Sequence, residues 1–270
     1  MSLSVEVDWL ELCRRAAASA RLAVGELAGR AERSVEQGRG EGGDMTLAVD
    51  RAAEDAIFAE LANAGFPLVA ISEERGEVSL NESREGDGRV RVVIDPVDGS
   101  MNAKRGLPFA CVSIAVASGV RMSDVEVGVV AELGDHAREW WAVRGEGAYL
   151  DGSRLETLVP GSLEVLGLET ARASLVARYA EAIEATEARR LRALGSVAVS
   201  MCLVAGGRLD AMITLRAVRS VDVAAAQLIV KEAGGAVALP GGDELDLEMR
   251  SRVAAARSPE LVERLLRSLS

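Results

Sequence analysis

A short strand that ends in an acidic turn is the feature of this sequence that most limits its fold. The β-branched residues at 92–94 predict a buried strand. Pro96 and Gly99 prevent the strand from continuing, so the chain must turn here. The turn carries Asp95 and Asp98, three positions apart. The fold must therefore place two carboxylates at the end of a sheet strand.

This turn has the chemistry of a metal site. Ionised Asp side chains are short and accept hydrogen bonds only, so two of them in a tight turn can converge on a hard cation such as Mg²⁺. The carbonyl group of Val97, between Asp95 and Asp98, can add a third oxygen. Gly99 allows close approach of the backbone, and a helix opening at residues 100–102 would offer N–H groups to an anion. The alternative is an ordinary surface turn, because Asp, Pro and Gly are the usual turn residues.

Polar residues of the same kind flank three other predicted elements. They are Glu73 and Glu74 after the apolar run 66–71, Asp222 at the start of a helical pattern, and Asp44, Thr46 and Asp50 ahead of a helix over 50–64. Each has an ordinary alternative, since Glu pairs are usually solvated and Asp at a helix start is usually a cap. Their combination with the acidic turn favours one shared site.

Three motifs follow one another along the chain. They are Glu73-Glu74, then Asp95-Pro96-Val97-Asp98-Gly99-Ser100-Met101-Asn102, then Asp222-Val223-Ala224-Ala225 ahead of Glu232-Ala233-Gly234-Gly235. In these motifs the chain resembles the inositol monophosphatase family of Mg²⁺-dependent, lithium-sensitive phosphatases. The segments RGLPFACVSIA and LRAVRSVDVAAA are most similar to archaeal-type members that act on inositol monophosphates and fructose 1,6-bisphosphate. The resemblance implies an α/β (α+β) fold, the layered α-β-α-β-α sandwich of the sugar phosphatases.

The resemblance also implies a metal centre with two or three Mg²⁺ ions. The ligands that it assigns are Glu73, Asp95, the Val97 carbonyl, Asp98 and Asp222. Asp95 would bridge two ions, with Glu73 and Val97 completing the first site and Asp98 and Asp222 the second. A third, weaker site would use Glu73 and waters. Mn²⁺ is expected as a substitute, and Li⁺ and Ca²⁺ as inhibitors.

The catalytic residues implied by the resemblance are Glu73, Asp50 and Ser100. Asp50 and Ser100 match the carboxylate–hydroxyl pair that orients the attacking water. The backbone N–H groups of Gly99 and Ser100 match the phosphate cradle.

Substrate contacts are predicted at Asp98, Gly99, Ser100, Gly195, Ser196, Val197, Arg216 and Arg219. Residues 195–197 match the start of a helix that contacts the polyol in the family, although a helix cap followed by core packing is the alternative. Arg216 and Arg219 stand just before Asp222, and a guanidinium suits a second phosphate. These arginines favour a bisphosphate or phosphosugar, unless they are simply solvated.

The predicted activity is hydrolysis of a small phosphate monoester by a metal-activated water. Charge neutralisation must dominate catalysis, because an anion attacks an anion in one of the slowest uncatalysed reactions. Bound metal would also keep crowded carboxylates ionised, so we expect Mg²⁺ dependence and activity at neutral to alkaline pH. Inositol 1-phosphate and fructose 1,6-bisphosphate are the leading substrates. The alternatives are 3′-phosphoadenosine 5′-phosphate or histidinol phosphate, or a non-catalytic metal-dependent binding or regulatory protein.

Composition favours a cytoplasmic enzyme. The net charge of −11 argues against general nucleic-acid binding, which relies on basic surface. No stretch has the length of a membrane span, and the N-terminal residues lack a signal-peptide pattern. The only histidine, His136, falls in a predicted hairpin turn and is expected at the surface. Reduced, buried thiols are expected at Cys13, Cys111 and Cys202.

The pattern of elements predicts one catalytic unit over 1–270, divisible into subdomains 1–150, with most metal ligands, and 151–270, with substrate contacts and Asp222. The predicted helices cover 5–36, 50–64, 174–188, 196–206, 222–234 and 258–268, and a loop covers 37–44. Strands are predicted over 67–72 and 89–95, and an antiparallel meander over 110–117, 125–132 and 138–144. The resemblance also implies a homodimer that acts on a small phosphorylated polyol or sugar and binds no nucleic acid or membrane.

Overall fold

The architecture follows from a computed structural model that describes residues 7–27, 29–41, 45–81, 90–134, 137–156, 159, 161–170 and 172–268. The described strands are β1 Glu36–Arg39, β2 Met45–Leu47, β3 Leu68–Ser72, β4 Gly76–Leu80, β5 Val90–Asp98, β6 Cys111–Ala117, β7 Val125–Glu132, β8 Glu139–Val143, β9 Gly147–Leu150, β10 Ser153–Arg154, β11 Val165–Glu169, β12 Arg190–Arg192, β13 Ala211–Thr214, β14 Ala236–Ala238 and β15 Ala254–Ala256. The described α-helices are α1 Trp9–Glu26, α2 Arg30–Arg33, α3 Ala48–Asn63, α4 Ser100–Arg105, α5 Ala173–Arg178, α6 Ala180–Glu184, α7 Val197–Ala205, α8 Ala224–Glu232 and α9 Pro259–Ser268. A 3₁₀ turn, Met122–Asp124, precedes β7.

Two large sheets organise these elements. Eight strands form a sheet in the order β10-β9-β8-β7-β6-β5-β3-β4, in which only the pair β3 and β5 is parallel among the described strands. Five strands form the second sheet, in the order β12-β11-β13-β15-β14. In that sheet β11 runs parallel to β12 and β13, and β15 runs antiparallel to β13 and β14. The strands β1 and β2 form a separate antiparallel hairpin.

Strand alternation in β6 shows how the eight-stranded sheet separates two hydrophobic cores. Val112, Ile114 and Val116 join the core beneath α1 and α3, whereas Cys111 and Ala115 join the core that contains α7 and α8. Successive side chains in a strand point to opposite faces, so this apolar strand is buried on both sides. A third core lies between the five-stranded sheet and α5, α6 and α9.

The layers are therefore α1 and α3, the eight-stranded sheet, α7 and α8, the five-stranded sheet, and α5, α6 and α9. The predicted α-β-α-β-α sandwich is confirmed. The middle layer approaches the eight-stranded sheet closely at Gly128 in β7, where a Cβ would lie 2.6 Å from the carbonyl oxygen of Ala225 in α8. Asp222 lies two residues before α8, so this contact helps to hold the segment that carries Asp222 near the sheet.

Four predicted elements are wrong in their extent. The strand predicted over 89–95 continues as β5 through Pro96 to Asp98, because an irregularity in its pairing with β6 between Asp95 and Asp98 accommodates the proline. The helix predicted over 5–36 is interrupted at Gly29, which is fully extended, and is described as α1 and α2. The loop predicted over 37–44 contains most of β1, which pairs with β2, and residues 42–44 lie outside the described residues. The helix predicted over 174–188 breaks at Tyr179 and ends at Glu184, since the chain must turn to pair β12 with β11. The amphipathic pattern that predicted the long helix over 5–36 and the Gly-rich composition that predicted the loop over 37–44 carry no information on such tertiary pairing.

Several other expectations concern the remaining residues. The three cysteines are free and buried, as predicted. Asp44 and His136 lie outside the described residues. None of the helices in the described segments has the length and apolarity required to cross a membrane. Helices α7 and α8 pack on strands from the first 150 residues, and the division at residue 150 stays a prediction.

Candidate active site

Three carboxylates from distant segments meet at one end of the eight-stranded sheet. Glu73 follows β3, Asp95 lies in β5, and Asp222 precedes α8. One carboxylate oxygen of each residue lies within 4.8 Å of the other two. Because β3 and β5 are parallel neighbours, their carboxyl ends reach the same edge of the sheet, and α8 packs nearby. Such a cluster of oxygens suits a hard divalent cation.

The acidic turn has a defined backbone geometry. The Asp95 Oδ1 atom accepts the Val97 N–H at 3.0 Å, and the Ser100 hydroxyl donates to the Val97 carbonyl at 2.9 Å. Gly99 has a φ of 88°, in the left-handed region that favours glycine. A Cβ at Gly99 would also lie 2.8 Å from the carbonyl oxygen of Phe109. Both constraints require glycine at this position, immediately before α4.

Asp98 joins the acidic turn to the start of α7. Its Oδ2 atom accepts the Ser196 hydroxyl at 2.7 Å and the Ala198 N–H at 2.6 Å. The Ser196 hydroxyl in turn accepts the Val199 N–H at 3.1 Å, which makes Ser196 the N-cap of α7. The predicted metal turn and the predicted substrate loop are thus in direct contact, and the helix-cap interpretation of Ser196 is also correct.

Glu169, at the end of β11, is a residue that sequence reasoning missed. Its Oε1 atom accepts the Leu194 N–H at 3.0 Å and the Ser200 hydroxyl at 2.6 Å, and its Oε2 atom accepts the Gly195 N–H at 2.9 Å. The Asn102 side chain donates to the Leu194 carbonyl at 2.7 Å. The predicted substrate loop is therefore held on two sides. Nothing in the local sequence linked Glu169 to this loop.

Asp50 is 2% exposed and lies near the start of α3. Its Oδ2 atom accepts the Leu47 N–H at 2.8 Å, and its Oδ1 atom has no hydrogen-bond partner among the described residues. Burial, with repulsion from Glu74, raises the pKa of Asp50 to about 7 against the opposing effects of the Leu47 N–H and the Ser100 hydroxyl. Asp50 therefore offers an unpaired oxygen close to Ser100. Thr46, also predicted near the site, donates to Glu74.

Crowding raises the pKa values of the clustered carboxyl groups. Burial, with repulsion from Asp222, raises the pKa of Glu73 to about 8 and that of Asp98 to about 7. Burial raises the pKa of Asp95 well above its usual range, and the charges of Glu73 and Asp98 add to this effect. A divalent cation among these groups would favour their ionised forms. The donor set, with only oxygen atoms, thus fits Mg²⁺.

Comparison with known proteins agrees with this geometry. The model of the inositol monophosphatase family matches residues 8–270. The chain belongs to this family. A fructose-1,6-bisphosphatase/inositol-1-monophosphatase from Methanothermobacter thermautotrophicus is 34% identical to it, over 97% of this chain and 96% of the relative. A protein of the same name from Archaeoglobus fulgidus is 32% identical, over 96% of this chain and 98% of the relative.

A solved structure of an inositol monophosphatase–fructose 1,6-bisphosphatase has the same fold. It superimposes with a TM-score of 0.80 at 27% identity and covers 97% of this chain and 100% of its own. The inositol monophosphatase family membership, the fold class and the phosphoric monoester hydrolase assignment predicted from the sequence are therefore confirmed.

The two predicted phosphate-binding arginines of this family member lie in different environments. Arg216 is exposed, on the loop between β13 and α8. The side chain of Arg219 is only 13% exposed, and its Nη2 atom donates to Glu73 Oε1 at 2.5 Å. The same nitrogen lies 3.5 Å from Asp222 Oδ1, and the Arg219 backbone N–H donates to Asp222 Oδ2 at 2.8 Å. Arg219 thus contacts the carboxylate cluster itself.

Proposed function

We propose that this chain hydrolyses inositol 1-phosphate, fructose 1,6-bisphosphate or both, and releases inorganic phosphate. The observation that carries the proposal is the convergence of Glu73, Asp95 and Asp222 at one edge of the sheet, from segments far apart in the chain. The choice of substrates is supported by the names of the relatives, since two of them are fructose-1,6-bisphosphatase/inositol-1-monophosphatases.

The proposed metal ligands are Glu73, Asp95, the Val97 carbonyl, Asp98 and Asp222, and the proposed cofactor is Mg²⁺, two or three ions per site. When bound, Mg²⁺ lowers the pKa of a coordinated water and neutralises negative charge at the phosphoryl group. Mn²⁺ is proposed as a substitute, and Li⁺ and Ca²⁺ as inhibitors.

Asp50 and Ser100 are proposed to orient the attacking water. The Ser100 hydroxyl donates a hydrogen bond to the Val97 carbonyl, so the lone pairs of the Ser100 oxygen can accept a hydrogen bond from the water. The unpaired Oδ1 atom of Asp50 can accept a second one. The N–H groups of Gly99 and Ser100 are proposed to hold the phosphate, and Glu73 completes the catalytic set.

The proposed substrate contacts lie at the start of α7 and on the loop between β13 and α8. The loop of Gly195, Ser196 and Val197, held by Glu169, would contact the polyol or sugar, together with Asp98. Arg216 would bind a second phosphate, since its exposed guanidinium is suited to bidentate contact. This contact would favour a bisphosphate over a neutral polyol.

Phosphate release by the purified protein tests the proposal. The substrates are inositol 1-phosphate, fructose 1,6-bisphosphate, histidinol phosphate and 3′-phosphoadenosine 5′-phosphate, each with Mg²⁺ and with excess chelator. Asp95→Asn should abolish release, because it removes a carboxylate of the cluster that would hold Mg²⁺. The matched control is Asp8→Asn, which makes the same charge change at an exposed helix cap where Asn is also favourable.

Each result of this experiment has a defined meaning. Mg²⁺-dependent release that only Asp95→Asn abolishes would support the proposal, and the ranking of substrates would identify the preferred one. Equal release in chelator would contradict metal dependence. Tight Mg²⁺ binding without release from any of the four esters would favour the binding-protein alternative.

The assembly and location of the enzyme stay predictions. We propose a cytoplasmic homodimer that binds no nucleic acid and no membrane. Light scattering after size-exclusion chromatography would measure the mass against that of a 28.4 kDa monomer.

A further inference from the structure

Each of the four proposed carboxylate ligands has one oxygen held by a donor of the protein. These contacts are Asp95 Oδ1 with the Val97 N–H, Asp98 Oδ2 with Ser196 and Ala198, Glu73 Oε1 with the Arg219 guanidinium, and Asp222 Oδ2 with the Arg219 N–H. The other oxygen of Asp222, Oδ1, lies 3.5 Å from the Arg219 guanidinium. Two of the four ligands are thus oriented by the same residue, Arg219.

Arg219 connects ligands that enter the site from different parts of the fold. Glu73 follows β3 in the eight-stranded sheet, whereas Asp222 precedes α8 in the middle layer. Glu73 and Arg219 are 146 residues apart in the chain. The guanidinium holds the first ligand and the backbone holds the second. The separation of Glu73 and Asp222 therefore depends on the side-chain conformation of Arg219.

The backbone of Arg219 is fixed on both sides. Val218 exchanges two backbone hydrogen bonds with Ser251, at 2.8 and 3.1 Å. Ser220 is fully buried, and its hydroxyl donates to the carbonyl of Asp246. Because these neighbours cannot move independently, the guanidinium is presented to Glu73 from a rigid platform.

The contact with Glu73 is also well shielded from water. The side chains of Arg219 and Glu73 are 13% and 14% exposed. A charge-assisted hydrogen bond is stronger in such surroundings than at the surface. The planar guanidinium reaches Glu73 at 2.5 Å while the same nitrogen stays 3.5 Å from Asp222 Oδ1. A lysine ammonium, as a flexible point charge, does not reproduce this geometry.

We propose that Arg219 is a positioning residue of the metal centre, which holds Glu73 and Asp222 in the arrangement that binds Mg²⁺. The inference rests on the proposed function, because that function makes these carboxylates metal ligands. It gives Arg219 a role other than contact with a second phosphate. The opposite expectation is that a cation so close to the site repels Mg²⁺, in which case its removal would strengthen binding.

Mg²⁺ titration by isothermal calorimetry distinguishes these expectations. The variants are Arg219→Ala, Arg219→Lys and, as a matched control, Arg189→Ala, which removes an exposed arginine from a surface ion pair with Glu164. Loss of a group that orients metal ligands weakens metal affinity by about 10–100-fold, and we expect this loss for Arg219→Ala. Arg219→Lys should lose part of the affinity although it keeps the charge. The control should bind as the wild type does.

Thermal unfolding with and without Mg²⁺ separates positioning from a general structural role. Loss of positioning should reduce the rise in Tm that Mg²⁺ produces. A merely structural ion pair would lower both Tm values equally and leave the affinity unchanged, which would overturn the proposal.

Unchanged or tighter Mg²⁺ binding by Arg219→Ala would also overturn it. If Arg219→Ala does not fold, Arg219→Lys decides, and wild-type affinity in that variant would refute the proposed geometry. Failure of the proposed function gives a different result, namely a wild type that binds Mg²⁺ and releases no phosphate. In that case the affinities of the variants still test the role of Arg219.

Discussion

Without a divalent cation, the folded protein should lose stability as the pH rises from 5 to 8. Burial is the main cause that raises the pKa of Asp50 to about 7, of Glu73 to about 8 and of Asp98 to about 7. In the unfolded chain such groups titrate near ~4. Between these values the folded state binds more protons than the unfolded state. The free energy of unfolding therefore decreases with increasing pH in this window. The stabilisation that comes from the protonated carboxyl groups is fully lost above their pKa values in the folded state.

The size of this decrease follows from the number of protons retained. One proton corresponds to about 1.4 kcal/mol per pH unit, or about 3 kcal/mol between pH 5 and 7. Asp50 lies apart from the metal ligands, so it should contribute separately from Glu73 and Asp98, which repel Asp222 in common. We expect a total decrease of about 3–6 kcal/mol, a large part of the ~5–15 kcal/mol that stabilises a typical protein.

Urea unfolding in EDTA at pH 5, 6, 7 and 8 measures this slope. Excess Mg²⁺ should remove or reverse it, because the cation binds the folded state and keeps its ligands ionised. Asp95→Asn removes the carboxyl group whose pKa is raised well above normal by burial and by Glu73 and Asp98. It should therefore be more stable than the wild type in EDTA at pH 8, whereas Asp8→Asn should not. Constant or increasing stability of the wild type from pH 5 to 8 in EDTA would refute this reasoning.

Three further predictions concern single side chains. Glu169→Gln should raise KM about 5–30-fold with a smaller effect on kcat, because a loss of about 1–2 kcal/mol in substrate binding by the loosened loop gives such factors. Steady-state kinetics would measure both constants, and the Mg²⁺ affinity of the variant should equal that of the wild type. Gly128→Ala should destabilise the fold by about 1–3 kcal/mol in urea unfolding, because its Cβ would lie 2.6 Å from the Ala225 oxygen; an unchanged midpoint would mean that α8 can move away. Ile114→Ala should cost about 2–5 kcal/mol in the same assay, since the side chain is fully buried, and a smaller loss would indicate that the core collapses around the cavity.

The strands near the site could be predicted because their signals are local. The β-branched run at 92–94 predicts β5 itself, although the strand continues through Pro96 to Asp98 and the chain turns only at Gly99. The ends of the helices were harder to predict from the sequence, because the break at Gly29 and the pairing of β1 with β2 depend on contacts with other elements. Propensity and periodicity describe one segment at a time, so they cannot show where tertiary pairing ends a helix.

The same distinction applies to the site. Glu73, Asp95 and Asp222 could be named from motifs, and the fold brings them together. The contacts of Glu169 and Arg219 could not be named, because each depends on a loop that reaches the residue only in the folded chain. Sequence motifs identify the groups that hold a ligand, whereas the residues that orient those groups are visible only in three dimensions.

The metal site also affects the stability of the fold, because Asp98 and Arg219 connect different layers. Asp98 links the acidic turn to α7, and Arg219 links Glu73 to the loop before α8. A cation that binds Glu73, Asp95 and Asp222 would add a third connection between the same layers, so its binding free energy would also stabilise their packing. In its absence the carboxylates repel one another across that junction. The crowding that weakens the metal-free protein at alkaline pH is therefore the same property that makes the junction favourable for a divalent cation.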